Sequence, residues 1–257
     1  MESPDDTNLE EAEKAYYQNV LLARGADVSL IDNSTLHINH GLALVSGHEQ
    51  EFNDRLVRML LFTRAFNSLV WARKSLFTGY VVQALLLTRS AMEDWGSGAY
   101  VRHHPEEALL WLEAQEDWSG PGFAQIWEDA PDDEEIAQRL ETTTKLKTLY
   151  GYLSLFAHPR AAGLPYLVSW DAEQTYFHAG PARQWDAEKF ETGLYFLLYV
   201  IQGFFAAVDR ITFDVTGELQ EGWRNRALEL TDLMRQRVAS IEDRVQGRID
   251  TAAELEV

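Results

Sequence analysis

Apolar residues recur close to helical spacing along most of the chain, most clearly at Phe52, Leu56, Met59, Leu60, Phe66, Val70 and Leu76. This run predicts a long amphipathic helix from Glu49 to Phe77. Thr78-Gly79 breaks it, and a second helix is predicted from Tyr80 to about Val101, so the two should form an antiparallel hairpin. Upstream, Leu9 to Arg24 reads as a helix ending at Gly25. Residues 26–47 carry Val28, Leu30, Ile31, Leu36 and Ile38. They read either as a short strand pair turning at Asp32-Asn33-Ser34 or as an irregular surface crossing.

Downstream, Pro105 opens a short helix through Leu112, with Glu106 and Glu107 in its first turn where the helix dipole favours negative charge. Residues 117–133 mix Gly, Pro, Trp and acids without period, which reads as a surface loop. A helix from Glu134 to His158 is stopped by Pro159. Alternation in Tyr166 to Trp170 and in Thr175 to His178 suggests a small β-hairpin appended to the helices.

The stretch from Asp186 to Asp209 is intensely apolar but too short and too interrupted, by Gln202 and Gly203, to read as a membrane span; it is the expected central helix. Leu219, Trp223, Leu230, Met234, Val238, Ile241 and Val245 mark a last amphipathic helix ending near Gly247. Together these elements predict an all-α antiparallel bundle of about six helices with a β-hairpin appendage. No linker composition divides residues 1–257, so a single domain is expected, with disordered tails at 1–8 and 248–257.

Composition narrows the function. Lys and Arg number 22 against 41 Asp and Glu, a formal charge of -19, which repels phosphate backbones and anionic membranes and disfavours nucleic acid as a partner. With no Cys, disulfides, thiolate metal sites and Cys nucleophiles are excluded. The acidic N-terminus lacks the basic and apolar regions of a secretory signal, so a cytoplasmic location is expected. No phosphate-cradling G-x-G-x-x-G or G-x-x-x-x-G-K occurs, and no nucleotide cofactor is expected. Gly96-Ser-Gly98 instead reads as a thinned helix face that lets a neighbour approach.

Two constellations carry candidate chemistry. Arg89 and Glu93, four residues apart, fall on an apolar stripe with Val82, Leu86 and Tyr100, where burying an ion pair costs desolvation. A structural ion pair, or a stripe rotated so that both heads reach water, gives the same pattern. Lys147, Tyr150, Ser154 and His158 lie in line on one helix flank. Ser154 and His158 could hydrogen-bond, and His moves protons near neutral pH, although a His at a helix C-terminus also simply caps it. His37, His40, His48, Glu49 and Glu51, and His103, His104, Glu106 and Glu107, hold metal-ligand types without a recognised spacing, so no metal site is expected. Trp170, Tyr176, Phe177, Trp185, Tyr195, Phe196, Tyr199, Phe204 and Phe205 would serve either as core or as the lining of an apolar pocket.

Arg89-Ser-Ala-Met-Glu93, followed by Ser154-Leu-Phe-Ala-His158-Pro159, resembles a widespread prokaryotic family of uncharacterised helical proteins with an Arg-x-x-x-Glu helix and a Ser-x-x-x-His-Pro helix end. The resemblance covers roughly residues 50–210. It implies a helical fold and marks Arg89, Glu93, Ser154 and His158, with no activity attached. The Arg and His spacing of small helical ribonucleases from toxin and defence systems is absent.

Three functions remain. The first is a binding or interaction module for a small ligand or protein partner in a prokaryotic regulatory or defence locus, with Lys147 and Tyr150 as binding residues. The second is a phosphoester-acting, nuclease-like enzyme using Arg89, Glu93 and His158. The third is a structural homo-oligomer joined through the long apolar face of the C-terminal helix.

Overall fold

The computed structural model describes residues 9–48, 51, 53–106, 108, 142–157, 168–170, 175–177 and 185–254. Among these are six helices: α1 (Leu9–Val45), α2 (Asp54–Phe77), α3 (Val81–His103), α4 (Thr142–Ala157), α5 (Ala187–Thr216) and α6 (Glu221–Glu254). The loop expected at 117–133 and most of the short helix expected at 105–112 lie outside the described residues. Val168–Trp170 and Thr175–Phe177 run antiparallel, with Ser169 opposite Tyr176.

α1 departs from the pattern expected of its second half. Residues 26–45 are neither strands nor a crossing; the helix kinks at Arg24 (φ -140, ψ 30) and continues to Val45. Its buried positions, Asp27, Ile31, Ser34, Ile38, Gly41 and Val45, keep a helical period. Three of those positions are polar or small, which hides the period in the sequence. Asp32-Asn33-Ser34 makes no turn: Asp32 pairs with Arg73 of α2, and the buried Ser34 hydroxyl lies 3.8 Å from Met234 Sδ.

α2 starts at Asp54, later than expected, because Asn53 caps it by accepting a hydrogen bond from Leu56 N (3.1 Å). It ends in a Schellman turn. Gly79 takes φ 93, and Tyr80 N bonds to Ser75 O at 2.8 Å. Where α3 packs on α2, a Cβ added at Gly98 would strike the Phe62 ring, the close approach expected of the Gly-Ser-Gly stretch.

α5 packs against α1, α2, α3 and α6 and is the centre of the bundle. Its most apolar window is hydrophobic enough to cross a membrane, yet 78% of that window is buried inside the bundle. Asp186 caps its start through the N–H groups of Glu188 and Lys189, and Gly217 ends it at φ 73.

α6 runs to Glu254, past the expected stop at Gly247, so residues 248–254 are helix and not a tail. The reason is a stripe of buried residues repeating every eleven positions: Trp223, Met234 and Val245, Ala227, Val238 and Ile249, Leu230 and Ile241. Eleven residues fill three turns almost without drift, so one straight face stays on the bundle. Gly247 lies on the opposite, solvent side, where it is tolerated at a cost of about 1 kcal/mol. This apolar face is covered within the chain, so it gives no argument for a homo-oligomer.

Candidate functional site

Packing of α4 on α3 brings the two sequence constellations together at one residue, Tyr150. Arg89 Nη2 donates to the Tyr150 hydroxyl oxygen (2.6 Å), the hydroxyl donates to Glu93 Oε1 (2.8 Å), and Arg89 Nη2 meets Glu93 Oε1 directly at 3.0 Å. The Arg89 guanidinium also stacks on the Tyr150 ring, 4.8 Å from its centroid. Burial and the Glu93 carboxylate raise the Tyr150 phenol above its ordinary value against the opposing pull of Arg89, so it remains a protonated donor.

The Arg89 and Glu93 side chains are not on the buried stripe as expected; they keep 20% and 42% exposure. The buried face of α3 is turned aside from Val82 and Leu86, through Val81, Ala84, Leu85, Thr88 and Met92. Ser154 donates its hydroxyl to Tyr150 O (2.7 Å), one turn back in its own helix, and is not arranged as a nucleophile. The Lys147 side chain and His158 lie outside the described residues.

The other flank of α4 borders a cavity of about 220 Å³. Thr148, Leu149 and Tyr152 come from α4 and Tyr195 and Tyr199 from α5, with Glu242 and Gln246 closing it from α6. The hydroxyls of Tyr195 and Tyr199 both donate to Glu242 Oε1, at 3.3 and 3.2 Å. Their rings meet edge to face at 4.9 Å. Gln246 Nε2 donates to the Tyr152 hydroxyl (2.8 Å) and to Asp250 (2.8 Å). Burial, together with Tyr199 and Glu242, holds the Tyr195 phenol far above its ordinary value, so it is a permanent donor.

Of the aromatic residues that the sequence offered as core or pocket lining, Tyr195 and Tyr199 line this cavity, whereas Phe196, Phe204 and Phe205 are core. Tyr152, Glu242 and Gln246 escaped the sequence reading. The available signal was a polar pair at i, i+4 beside the apolar stripe of α6.

Arginine clusters form the remaining polar structure. Glu191, 7% exposed, accepts from Arg24 (2.8 Å), Arg244 (3.0 Å) and Arg248 (3.2 Å), while Arg237 grips Asp27 with two bonds of 2.7 and 2.9 Å. Asp214 gathers Arg58 (2.8 Å), Arg102 (3.2 Å) and Arg210 (3.5 Å). These networks tie α1 to α5 and α6, and α2 and α3 to α5.

No group of three or more His, Asp or Glu placed to hold a metal ion occurs among the described residues. His37 instead stacks on Trp223, and His104 stacks on Tyr100 at 4.2 Å. Comparison with protein-family models, with curated proteins and with solved structures gives no match.

Proposed function

We propose that this chain is a helical binding module whose ligand enters the cavity between α4, α5 and α6. The observation that carries this reading is the preorganised lining. Three tyrosines, a carboxylate and an amide converge on one space, and the orientation of each is held by a hydrogen bond to another. Side chains already locked in position lose little freedom when a ligand arrives. Its volume of about 220 Å³ is below the roughly 300 Å³ at which drug-sized sites begin, so the ligand is a small molecule.

The phosphoester reading draws less support. Glu93 and Tyr150 already occupy the Arg89 Nη2 group that would have to meet a scissile phosphate, and Ser154 bonds its own helix. Within the binding reading, the Arg89, Glu93 and Tyr150 cluster is a brace that fixes the angle of α4 and so the shape of the cavity. The resemblance to the Arg-x-x-x-Glu family, a prokaryotic regulatory or defence locus, the cytoplasm and the β-hairpin appendage built on Val168–Trp170 and Thr175–Phe177 belong to the same proposal.

Native mass spectrometry of untagged protein from its own host tests the reading. A retained small molecule, released when Tyr199→Trp fills the cavity, is the expected result. A bare wild-type mass, with no thermal stabilisation by small metabolites, would sink it.

A further inference from the structure

Most buried and half-buried carboxylates of the bundle meet a cationic side chain; among the described residues Glu13, which accepts from the Tyr80 hydroxyl, and Glu242 do not, and of these two it is Glu242 that lines the cavity. Glu191, Asp214, Asp27, Asp94 and Glu93 each meet a guanidinium. Glu242 is held by two phenol hydroxyls on Oε1, and no Lys, Arg or His among the described residues pairs with it. A carboxylate set in an aromatic wall without a counter-ion lacks its most favourable partner, a cation.

The surroundings select which cation. Tyrosine rings present negative faces that attract a positive charge spread over carbon-bearing nitrogen, and such rings around a cavity are the usual means of holding an ammonium group. A bare metal ion prefers several charged or carbonyl oxygen ligands, whereas the lining offers a single carboxylate, and the Tyr195 phenol beside it keeps its proton. The formal charge of -19 raises the concentration of cations near the surface and repels anions.

Resting on the binding reading above, we infer that the cavity takes a small organic ammonium compound, its charged nitrogen against Glu242 and its carbon groups against the rings of Tyr152, Tyr195 and Tyr199. Gln246 and Thr148, at the polar rim, then meet whatever hydroxyl or carbonyl the ligand carries.

Calorimetric titration of the full chain with choline, and with 3,3-dimethylbutanol as its neutral isostere, tests the assignment. Choline should bind and the isostere should not. Glu242→Gln, which keeps an acceptor for both tyrosines and hence the fold, should weaken choline at least tenfold. Tyr199→Phe, which keeps the ring, should weaken it less. Equal binding of the two probes, or unchanged affinity in Glu242→Gln, would overturn the ammonium assignment while leaving a small-molecule site. Binding of neither probe overturns the assignment as well, and the binding reading falls with it only if the native mass spectrum is also bare.

Discussion

His37 and Trp223 bond each other twice: the His37 Nε2–H donates to Trp223 O and the Trp223 Nε1–H donates to His37 O, both at 2.8 Å, with the rings stacked 5.0 Å apart at 10°. This reciprocal clasp joins the C-terminal part of α1 to the start of α6. Removing the indole donor by Trp223→Phe leaves most of the packing and should cost about 1 kcal/mol, read as a lower urea midpoint.

Burial of the same histidine makes stability depend on pH. Burial holds the His37 imidazole below its ordinary value of 6.5, with help from His40 and Arg226 and against the Trp223 hydrogen bond. A base whose pKa is depressed on folding binds more protons when unfolded, so its stabilising contribution is lost as pH falls below about 6.5. His37→Gln should flatten the slope of unfolding free energy between pH 7.5 and 5.5. An unchanged slope would show that the imidazole titrates freely.

Asp94 pulls in the opposite direction. Burial raises its carboxyl from 3.8 to about 6, with Glu93 adding and Arg64 opposing. The folded protein then holds a proton that the unfolded chain has lost, so this group destabilises the fold above about pH 6 and relaxes as pH falls toward 4. Asp94→Asn removes the buried charge and should raise the melting temperature at pH 7.5 by about 2–4 °C, with no gain at pH 4. A gain of the same size at both values would point to a cause other than ionisation.

Glu191 adds a contribution that acid removes. Burial opposes its ionisation, but hydrogen bonds from Arg244 and Arg248 and the charges of Arg244 and Arg24 outweigh that cost and hold the carboxyl below its ordinary 4.5. Its contribution is complete above pH 4.5 and is lost as pH falls through the lower folded value. Glu191→Gln leaves the arginines without their shared anion and should cost on the order of 3 kcal/mol at pH 7, less at pH 3. Guanidinium melts at the two pH values check this; equal losses at both would mean that shape and not charge is responsible.

The parts of the fold legible in the sequence are those where apolar periodicity is unbroken. α2, α3 and α5 lie where their patterns place helices, and the Thr78-Gly79 break sits where Gly79 adopts its positive φ, but the buried faces are rotated: α2 buries Val57, Leu61, Phe62, Ala65 and Leu69 and leaves Leu60 exposed, and α5 runs past Asp209 to Thr216. α1 was illegible beyond Arg24 because its core contacts there use Asp27, Ser34 and Gly41, residues whose partners are distant in sequence. Arg89, Glu93 and Tyr150 were visible as chemistry on two helices, but their meeting depends on how α4 packs, which no local pattern encodes. The cavity was less visible still. Tyr195 and Tyr199 are embedded in a run of aromatic core residues, and Glu242 resembles any solvent-side acid until the two hydroxyls that reach it are in place.

Close approach of helices provides the last test, at Gly203 of α5. A Cβ added there would lie 2.8 Å from both Cζ2 and Cζ3 of Trp95, well inside van der Waals contact, because the indole lies directly on the glycine. The indole is the buried body of α3 and cannot swing aside without displacing its neighbours. Gly203→Ala should therefore cost about 1–3 kcal/mol and shift the tryptophan fluorescence, even though alanine is the better helix former. Shrinking the partner tests the cause: Trp95→Phe should make the same Gly203→Ala change nearly harmless, so the double variant is more stable than the sum of the single losses. Strictly additive losses would show that Gly203 is needed for some reason other than the seat it makes for Trp95.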